Sequence, residues 1–360
     1  MIGDIRLLRL KVPLTAPYKL AMGAVHHFDT ILVCVEAGRS GIGEATILTG
    51  YTDETIDGSW ALARNIAPQL CGLDGAAAKQ QALTYFDKAP FVVSAFISAL
   101  EMAESHPLLA VKEAVRVPIL AVINAMDPRG IEAEIERAIA SGFGTLKIKV
   151  GFDVDADLAR VSRIQVINRG RAKLRLDANQ GYSVDQGCRF AAALEADSIE
   201  LFEQPCAAED WDAAVRVAAV STVPMMLDES IYGPADIERA AELEAARFIK
   251  LKLMKMGGLD RLAAGLEKIR ALGMEPVLGN GVATELGCWM EACVARGHIA
   301  NAGEMNGFLK PSSALLHRPL KAERGAILLE PGFVPQLDEQ VVAQFTVASE
   351  RHASRIKARA

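Results

Sequence analysis

Apolar and polar positions change their period at about residue 117 of this chain. After that point, short apolar runs typical of buried strands alternate regularly with amphipathic helical segments. The apolar runs are 117–123, 145–150, 173–178, 199–203, 224–228, 248–253, 274–278 and about 298–303. Eight strands in regular βα order predict a closed parallel barrel. A doubly wound open sheet is the alternative, and the even spacing of the eight units favours closure.

The first 115 residues predict a smaller α+β domain. Apolar residues near the start indicate a strand with one slip in its alternation, and a second strand at 30–36 leads through a Gly-rich turn to 41–45. Helical patterns follow at 53–70, 75–86 and 92–104. The last stretch, 321–360, shows no further βα unit, so we expect it to pack back on the N-terminal domain. The predicted domains are therefore 1–115, with 321–360 packed on it, and a barrel over 116–320.

Composition narrows the class of protein. The chain has 360 residues, a formal net charge of −6 and a pI near 5.7, which argues against a nucleic-acid surface. No uncharged apolar run is long enough to cross a membrane, and charges interrupt the apolar N-terminus, unlike a signal peptide. Six cysteines without a CxxC motif predict reduced thiols in the cytoplasm, with Cys288 and Cys293 packed on one helix face.

Three acids end successive apolar runs at nearly equal intervals. Asp177, Glu203 and Asp228 lie 26 and 25 residues apart, which is the length of one strand-plus-helix unit. One such acid alone is explained by a helix cap or a salt bridge at the barrel rim. Three at matched positions predict a site for a hard cation, Mg²⁺ with Mn²⁺ as the alternative, because all the ligands are oxygens. Asn179 faces the same side and is expected to orient a water or a substrate oxygen.

Lysines flank the acids on both sides along the chain. Lys147 and Lys149 alternate on one face of a predicted strand, and Lys252 follows a later strand. The residues that alternate with Lys147 and Lys149 are apolar and would face the helices, which argues against a strand whose lysines face solvent. Two inward ammonium groups should depress each other's pKa, so that one of them serves as a neutral base. Lys255 lies past its strand and is interpreted as a charge at the rim.

The ordered set of motifs resembles the enolase superfamily, in particular its muconate-lactonizing and mandelate racemase-like subgroup. The motifs are KxK, DxN, the Glu of FEQP, the Asp of LDES, the Lys of KLKLMKMGG and the N-terminal GxGEA turn. The resemblance implies a (β/α)7β barrel with an α+β capping domain. It also implies Mg²⁺ held by Asp177, Glu203 and Asp228, and abstraction of the proton α to a carboxylate. Lys149 and Lys252 would then be the acid/base groups, with Lys147 holding the carboxylate.

The resemblance is weaker where substrates are selected. Dipeptide epimerases of the subgroup carry an Asp-x-Asp near the last strand, and here Glu304 and Asn306 take those places. Glu304 is expected to contact a ring amine or a leaving group, with a rim charge as the alternative. Loops at 18–27 and 45–51 are candidates for the lid, and His26 and Tyr51 are predicted to contact substrate.

The chain also resembles the superfamily branch that dehydrates cis-3-hydroxy-L-proline. This resemblance favours an enzyme that dehydrates a small hydroxylated imino acid of that kind. The alternative is a racemase or epimerase of an amino-acid derivative or a dipeptide, because two opposed lysines suit both reactions. A non-catalytic binding barrel is the third interpretation. In each case we expect a small-molecule carboxylate as ligand, no nucleic-acid or membrane partner, and a homo-oligomer.

Overall fold

The computed structural model describes residues 1–20, 23–48 and 52–354. The N-terminal part begins with antiparallel strands and continues with helices. Its elements are β1 (Asp4–Leu20), β2 (Gly23–Glu36), β3 (Ser40–Ile47), α1 (Ile56–Leu70), α2 (Gly75–Leu83) and α3 (Pro90–Ala103). Ile5 and Leu7 pack in the cluster that contains the helices, whereas Leu8 and Leu10 pack in the cluster of the barrel. The apparent slip in alternation is therefore wrong, because both faces of β1 are buried.

Two glycines let β3 lie directly against α3. A Cβ at Gly41 or at Gly43 would stand 1.9 Å from a backbone oxygen of the helix, that of Ala99 or of Ala95. Only a residue without a side chain allows this approach. The GxGEA motif lies within β3 rather than in a turn, and it fixes the distance between the sheet and the helical layer.

The middle of the chain forms the parallel barrel. After β4 (Val115–Pro118), the strands of the barrel are β5 (Ala121–Ile123), β6 (Thr145–Lys149), β7 (Lys173–Asp177), β8 (Ile199–Glu203), β9 (Met225–Leu227), β10 (Phe248–Leu251) and β11 (Glu275–Leu278). Its helices are α4 (Pro128–Ala140), α5 (Val154–Asn168), α6 (Val184–Ala193), α7 (Trp211–Val220), α8 (Pro234–Glu242), α9 (Leu253–Met256), α10 (Leu259–Ala271) and α11 (Glu285–His298). Strands β5 to β11 are hydrogen-bonded in sequence order, which confirms the predicted fold class.

Two predicted strand ranges need correction. The run at 117–123 divides, because β4 pairs antiparallel with a C-terminal strand and only β5 joins the barrel. The eighth strand at about 298–303 is reduced to a single bridge, because α11 extends to His298. Gly303 bridges to Ile119, and the Glu304 amide donates to the Leu278 carbonyl at 3.0 Å. These contacts join the two edges of the sheet and close the barrel.

The C-terminal part divides between the two layers. It contains β12 (Ala322–Glu323), β13 (Ala326–Leu329), α12 (Glu339–Phe345) and β14 (Thr346–Ala353). β14 pairs with β1 and completes a four-stranded sheet in the order β14-β1-β2-β3, whereas β12 and β13 join β4. The part of the C-terminal stretch that packs on the N-terminal sheet is therefore β14. The predicted domain boundaries stay predictions. In the part of the chain that the structure describes, no helix is long and apolar enough to cross a membrane.

Polar side chains fix the starts of the helices that follow β5 to β8. The side chains of Asp127, Asp153, Ser183 and Asp210 accept the backbone amides at the first turns of α4, α5, α6 and α7. Such caps satisfy donors that have no partner inside the helix. Each strand can therefore end in a short loop, and the last residues of β6 and β7, Lys149 and Asp177, line the pocket at the barrel mouth.

Candidate active site

Three buried carboxylates meet at the mouth of the barrel. Asp177 is the last residue of β7 and lies opposite Glu203, the last residue of β8, while Asp228 directly follows β9. Each is at most 1% exposed. The structure brings together the acids that the sequence predicts, because three neighbouring parallel strands end at one level. Their role as metal ligands stays a prediction.

Lysine ammonium groups lie among these acids. Lys147 Nζ stands 2.8 Å from an Asp177 oxygen and 2.9 Å from a Glu203 oxygen. Lys149 Nζ donates to Asp177 at 2.5 Å, and Lys252 Nζ donates to Asp228 at 2.7 Å. The carboxylates and the lysines therefore form one buried network of opposite charges.

Lys149 and Lys252 lie on opposite sides of the mouth. Lys149 ends β6 and Lys252 follows β10, and β7, β8 and β9 separate these strands in the sheet. With the bridge at Gly303 counted as the eighth position, β6 and β10 are diametrically placed in the barrel. A small molecule between the two ammonium groups would therefore meet a proton donor or acceptor on each face.

The expected depression of the lysine pKa values is wrong for this arrangement. Burial is the largest single effect and would lower the pKa of Lys149, but Asp177, together with Tyr18 and Glu203, raises it above the ordinary value. Burial alone would raise the pKa of Asp177. Lys147 and Lys149 contribute to an opposite effect that is larger, and the pKa of Asp177 falls to about 2. The sequence argument counted the repulsion between lysines and left out the carboxylates that face them.

Side chains beside the acids were missed or misplaced by sequence reasoning. Lys255 is fully buried rather than at the rim, and its Nζ donates to the Asp228 carbonyl at 2.7 Å. Burial, opposed by Asp228, lowers the pKa of Lys255 to about 8. Burial and the negative charge of Asp228 raise the pKa of Glu229 to about 7. The Ser94 hydroxyl of α3 donates to the Met254 carbonyl of α9 at 2.9 Å, so the burial of Lys255 depends on a contact between distant segments that the sequence does not show.

Asn179 and Gln204 hold the loops after β7 and β8. Asn179 has a φ of 40°, its amide donates to Asp177 at 2.9 Å, and its carboxamide donates to Glu229 at 2.9 Å. Its side-chain oxygen accepts from Lys149. The Gln204 carboxamide oxygen accepts the Asp228 amide at 3.0 Å. Asn179 thus lies where the sequence predicted, and its expected contact with substrate stays a prediction.

The opposite half of the mouth comes from β11 and the segment around Gly303. Asn280, Gly281 and Glu304 line the pocket there. Glu304 is 5% exposed, so the alternative of a rim charge is wrong. Both its oxygens accept from Lys147, at 2.8 and 2.9 Å, and one also accepts from Lys250. The Glu304 carboxylate is therefore already balanced by two cations.

The lid contributes fewer residues than the sequence suggested. Tyr18 and Leu48 line the pocket, and His26, which is exposed on β2, is absent from the described residues that line it. The predicted substrate contact Tyr51 lies outside the described residues. The substrate roles of His26 and Tyr51 stay predictions.

The donor set fits a hard divalent cation. Asp177, Glu203 and Asp228 offer only carboxylate oxygens from three neighbouring strand ends, as Mg²⁺ prefers. A second cluster, formed by Glu101, His106 and Asp260, fits less well. Its groups are engaged in fixing the start of α10, where Glu101 accepts the Leu259 amide at 2.8 Å and His106 pairs with Asp260 at 2.9 Å.

Known proteins share this fold and arrangement of domains. The model of the mandelate racemase / muconate lactonizing enzyme N-terminal domain matches residues 4–115, and the enolase C-terminal domain-like model matches residues 130–341. The chain is 31% identical over 301 residues to the L-Ala-D/L-Glu epimerase of Bacillus subtilis (strain 168), which covers 78% of this chain and 80% of that protein.

Two solved structures superpose over almost the whole chain. Muconate lactonizing enzyme from Pseudomonas fluorescens, complexed with muconolactone, gives a TM-score of 0.87 at 27% identity and covers 96% of this chain and 99% of its own. A dipeptide epimerase from Cytophaga hutchinsonii, complexed with Mg and the dipeptide D-Ala-L-Val, also gives 0.87. This second match covers 98% of this chain and 99% of the epimerase. Because the two sequences are only 21% identical, it shows the fold alone.

Proposed function

The chain belongs to the mandelate racemase / muconate lactonizing enzyme family of the enolase superfamily, and we propose that it is a racemase or epimerase. The reaction is the transfer of the proton α to the carboxylate of an N-substituted amino acid. The similarity to a dipeptide epimerase supports this alternative better than the dehydration of cis-3-hydroxy-L-proline that we favoured from the sequence.

One observation carries the proposal. Lys149 and Lys252 lie on opposite sides of a buried carboxylate cluster, which is the arrangement that inversion at one carbon requires. One lysine, in its neutral form, takes the α-proton, and the electron pair of the broken C–H bond moves into the carboxylate as an enediolate. The opposite lysine, in its ammonium form, returns a proton to the other face. Atoms and charge balance, and the two lysines exchange roles in the reverse direction.

Asp177, Glu203 and Asp228 would hold Mg²⁺ in this proposal. Bound to them, the ion would supply positive charge beside the substrate carboxylate and compete with Lys149 and Lys252 for their acid partners. Lys147, 2% exposed at the centre of the cluster, would hold the substrate carboxylate. Dense positive charge is needed there because a proton α to a carboxylate is very weakly acidic.

The geometry around Glu304 weighs against the dehydratase. That hypothesis used Glu304 as the acceptor of a ring amine, but Lys147 and Lys250 already balance its charge. The proton for a hydroxyl leaving group would have to come from the opposite lysine, because Glu304 cannot supply it. Glu304 is ionised there, since burial is outweighed by Lys147 and Lys250, which hold its pKa well below the ordinary value.

Proton NMR in D₂O tests the function directly. The protein with Mg²⁺ is incubated with single isomers of N-acyl amino acids and dipeptides and with cis-3-hydroxy-L-proline. We expect the α-proton signal of an amino-acid derivative to disappear while the opposite isomer forms, and chelator treatment to stop both. Water loss from hydroxyproline without exchange on the derivatives would replace the proposal with the dehydratase, and no exchange on any compound would support a binding barrel.

A further inference from the structure

The backbone of Lys149 is held on two sides. The guanidinium of Arg160 on α5 donates to the Lys149 carbonyl at 2.7 Å, and the amide of Val150 donates to the Asp177 carbonyl at 2.9 Å. Arg160 is itself buried and also donates to the carbonyl of Ile123, at the end of β5, at 3.1 Å. These contacts fix the end of β6, so that the direction of the Lys149 ammonium group is what remains to be determined.

Two acceptors determine the direction of that ammonium group. Lys149 Nζ donates to an Asp177 oxygen at 2.5 Å and to the side-chain oxygen of Asn179. In the proposed function, on which this inference rests, Asp177 also holds Mg²⁺, so Lys149 must share this carboxylate. Asn179 is not among the proposed ligands of the ion. Its contact with Lys149 therefore does not depend on the ion.

Only one orientation of the Asn179 side chain suits a lysine that gives and takes protons. The amide oxygen can accept an N–H from either form of Lys149, which leaves one position on Nζ open toward the substrate. If the NH₂ end faced Lys149 instead, it would repel the ammonium form. It would also donate to the lone pair of the neutral form, which is the electron pair that must take the α-proton.

Glu229, which directly follows Asp228, selects this orientation. Its Oε1 accepts from the Asn179 side-chain nitrogen at 2.9 Å, so the amide oxygen faces Lys149. Glu229 is 6% exposed, and its Oε2 has no hydrogen-bond partner within residues 1–20, 23–48 and 52–354. A carboxylate buried in this way is costly to desolvate. The position of Glu229 is therefore better explained by the orientation of Asn179 than by support of the fold.

The loop after β7 is shaped to bring Asn179 to this place. Asn179 and Gln180 have φ values of 40° and 65°, a left-handed conformation that is uncommon for residues other than glycine. The amide of Asn179 donates to Asp177 at 2.9 Å, and its side chain reaches from Lys149 to Glu229. Such a backbone persists where surrounding contacts hold it, and these contacts are made to groups of the site.

We infer that Glu229 is a positioning residue for Lys149 and acts through Asn179. This chain of hydrogen bonds serves one face of the substrate, because Lys252 on the opposite face donates to Asp228 at 2.7 Å. The negative charge of Glu229 also acts on Lys252, so charge and hydrogen bonding must be separated in a test. The directional contact of Glu229 is the one with Asn179.

The ratio of two exchange rates in one protein tests the inference. Proton NMR in D₂O with saturating Mg²⁺ gives the initial rate of α-proton exchange for each isomer of an N-acyl amino acid separately. The isomer that belongs to Lys149 is the one whose exchange is lost in Lys149→Ala and kept in Lys252→Ala. In Glu229→Met, exchange of that isomer should fall at least about tenfold more than exchange of the other. The amount of folded, Mg²⁺-loaded protein cancels in the ratio.

Further variants separate the hydrogen bond from the charge. In Glu229→Gln the carbonyl can still accept from Asn179, so the ratio should stay within about twofold of the parent value even if both rates fall. Asn179→Ala should shift the ratio as Glu229→Met does, and the double variant should shift it by less than about twofold more, because nothing is left to orient. Glu209→Met, at an exposed acid between β8 and α7, is the matched control and should change neither rate.

Several outcomes would overturn the inference while the proposed function stands. They are equal losses for the two isomers in Glu229→Met, a shift of equal size in Glu229→Gln, and additive effects in the double variant. Glu229→Ala, which also removes the acceptor, replaces Glu229→Met if that variant does not fold. Absence of exchange with both isomers in the parent protein would remove the proposed function, and the inference with it.

Discussion

The two halves of the barrel mouth are built from different kinds of structural element. The half at β7, β8 and β9 places one acid at the end of each strand, and its carboxylates are fixed by the barrel itself. The other half combines β11, the bridge at Gly303 and the Tyr18 region of the capping domain. A regular scaffold thus carries the groups proposed for the shared chemistry, while irregular segments carry those proposed to select the substrate.

The largest effect is expected when an acid is removed from the first half. Asp228→Asn should lower turnover by at least about 1,000-fold and weaken Mg²⁺ binding at least about 100-fold, because a neutral amide replaces a charged ligand. Activity and calorimetric Mg²⁺ titration measure the two effects. Asp212→Asn, at an exposed acid on α7, is the matched control and should leave both unchanged. Mg²⁺ binding at normal strength in Asp228→Asn would remove this acid from the proposed metal site.

A smaller effect is expected from the second half. Glu304→Gln should lower kcat/KM by about tenfold to 100-fold, because Lys147 and Lys250 lose their shared counter-charge. Mg²⁺ affinity should stay within about threefold of the parent value, as it should in the control Glu323→Gln at an exposed acid. If Glu304→Gln weakened Mg²⁺ as strongly as Asp228→Asn, the division between a metal-binding and a substrate-selecting half would fail.

The smallest effect concerns pH and stability. Asp177 has a pKa of about 2, below its ordinary value, so its stabilising contribution is lost only as the pH falls through that range. Glu291 on α11 accepts the Leu253 amide at 2.8 Å, and burial raises its pKa to about 7. A carboxyl with a raised pKa stabilises the fold fully below its ordinary value of 4.5, and that contribution is lost as the pH rises through about 7.

Glu291→Gln should therefore flatten the stability profile between pH 5 and about pH 8. The parent protein should lose up to about 3 kcal/mol more than the variant over this interval, seen as a larger drop of Tm by a few degrees. The variant should lose less stability because the side-chain amide of glutamine stays uncharged, whereas Glu291 becomes a buried anion as the pH rises. Parallel profiles for the two proteins would show that Glu291 does not titrate in this interval.

The barrel and its acids could be predicted because strand periodicity alone determines them. Once β7, β8 and β9 are recognised, the last residue of each run must point into the mouth. The eighth strand was predicted wrongly, because Gly303 forms only one bridge and α11 extends to His298. A single bridging residue leaves no periodic pattern to detect.

The second half could not be predicted from the sequence for a different reason. The burial of Lys255 and the balance of charge around Glu304 depend on segments far apart in the chain. The pKa of Lys149 was predicted with the wrong sign, since the local pattern showed a neighbouring lysine and not the carboxylate across the strand. Such effects follow from tertiary contacts, which local periodicity does not contain.

Lys149 and Lys252 are proposed to act on opposite faces of one carbon. The most direct test gives Lys149→Ala and Lys252→Ala each isomer of an N-acyl amino acid separately, in D₂O with Mg²⁺, and follows the α-proton by NMR. Each variant should keep its fold and lose inversion by at least about 1,000-fold, yet still exchange the proton of one isomer, and that isomer should differ between the two variants. If either variant inverts its substrate at the parent rate, or both exchange the same isomer, the proposed roles of Lys149 and Lys252 are contradicted.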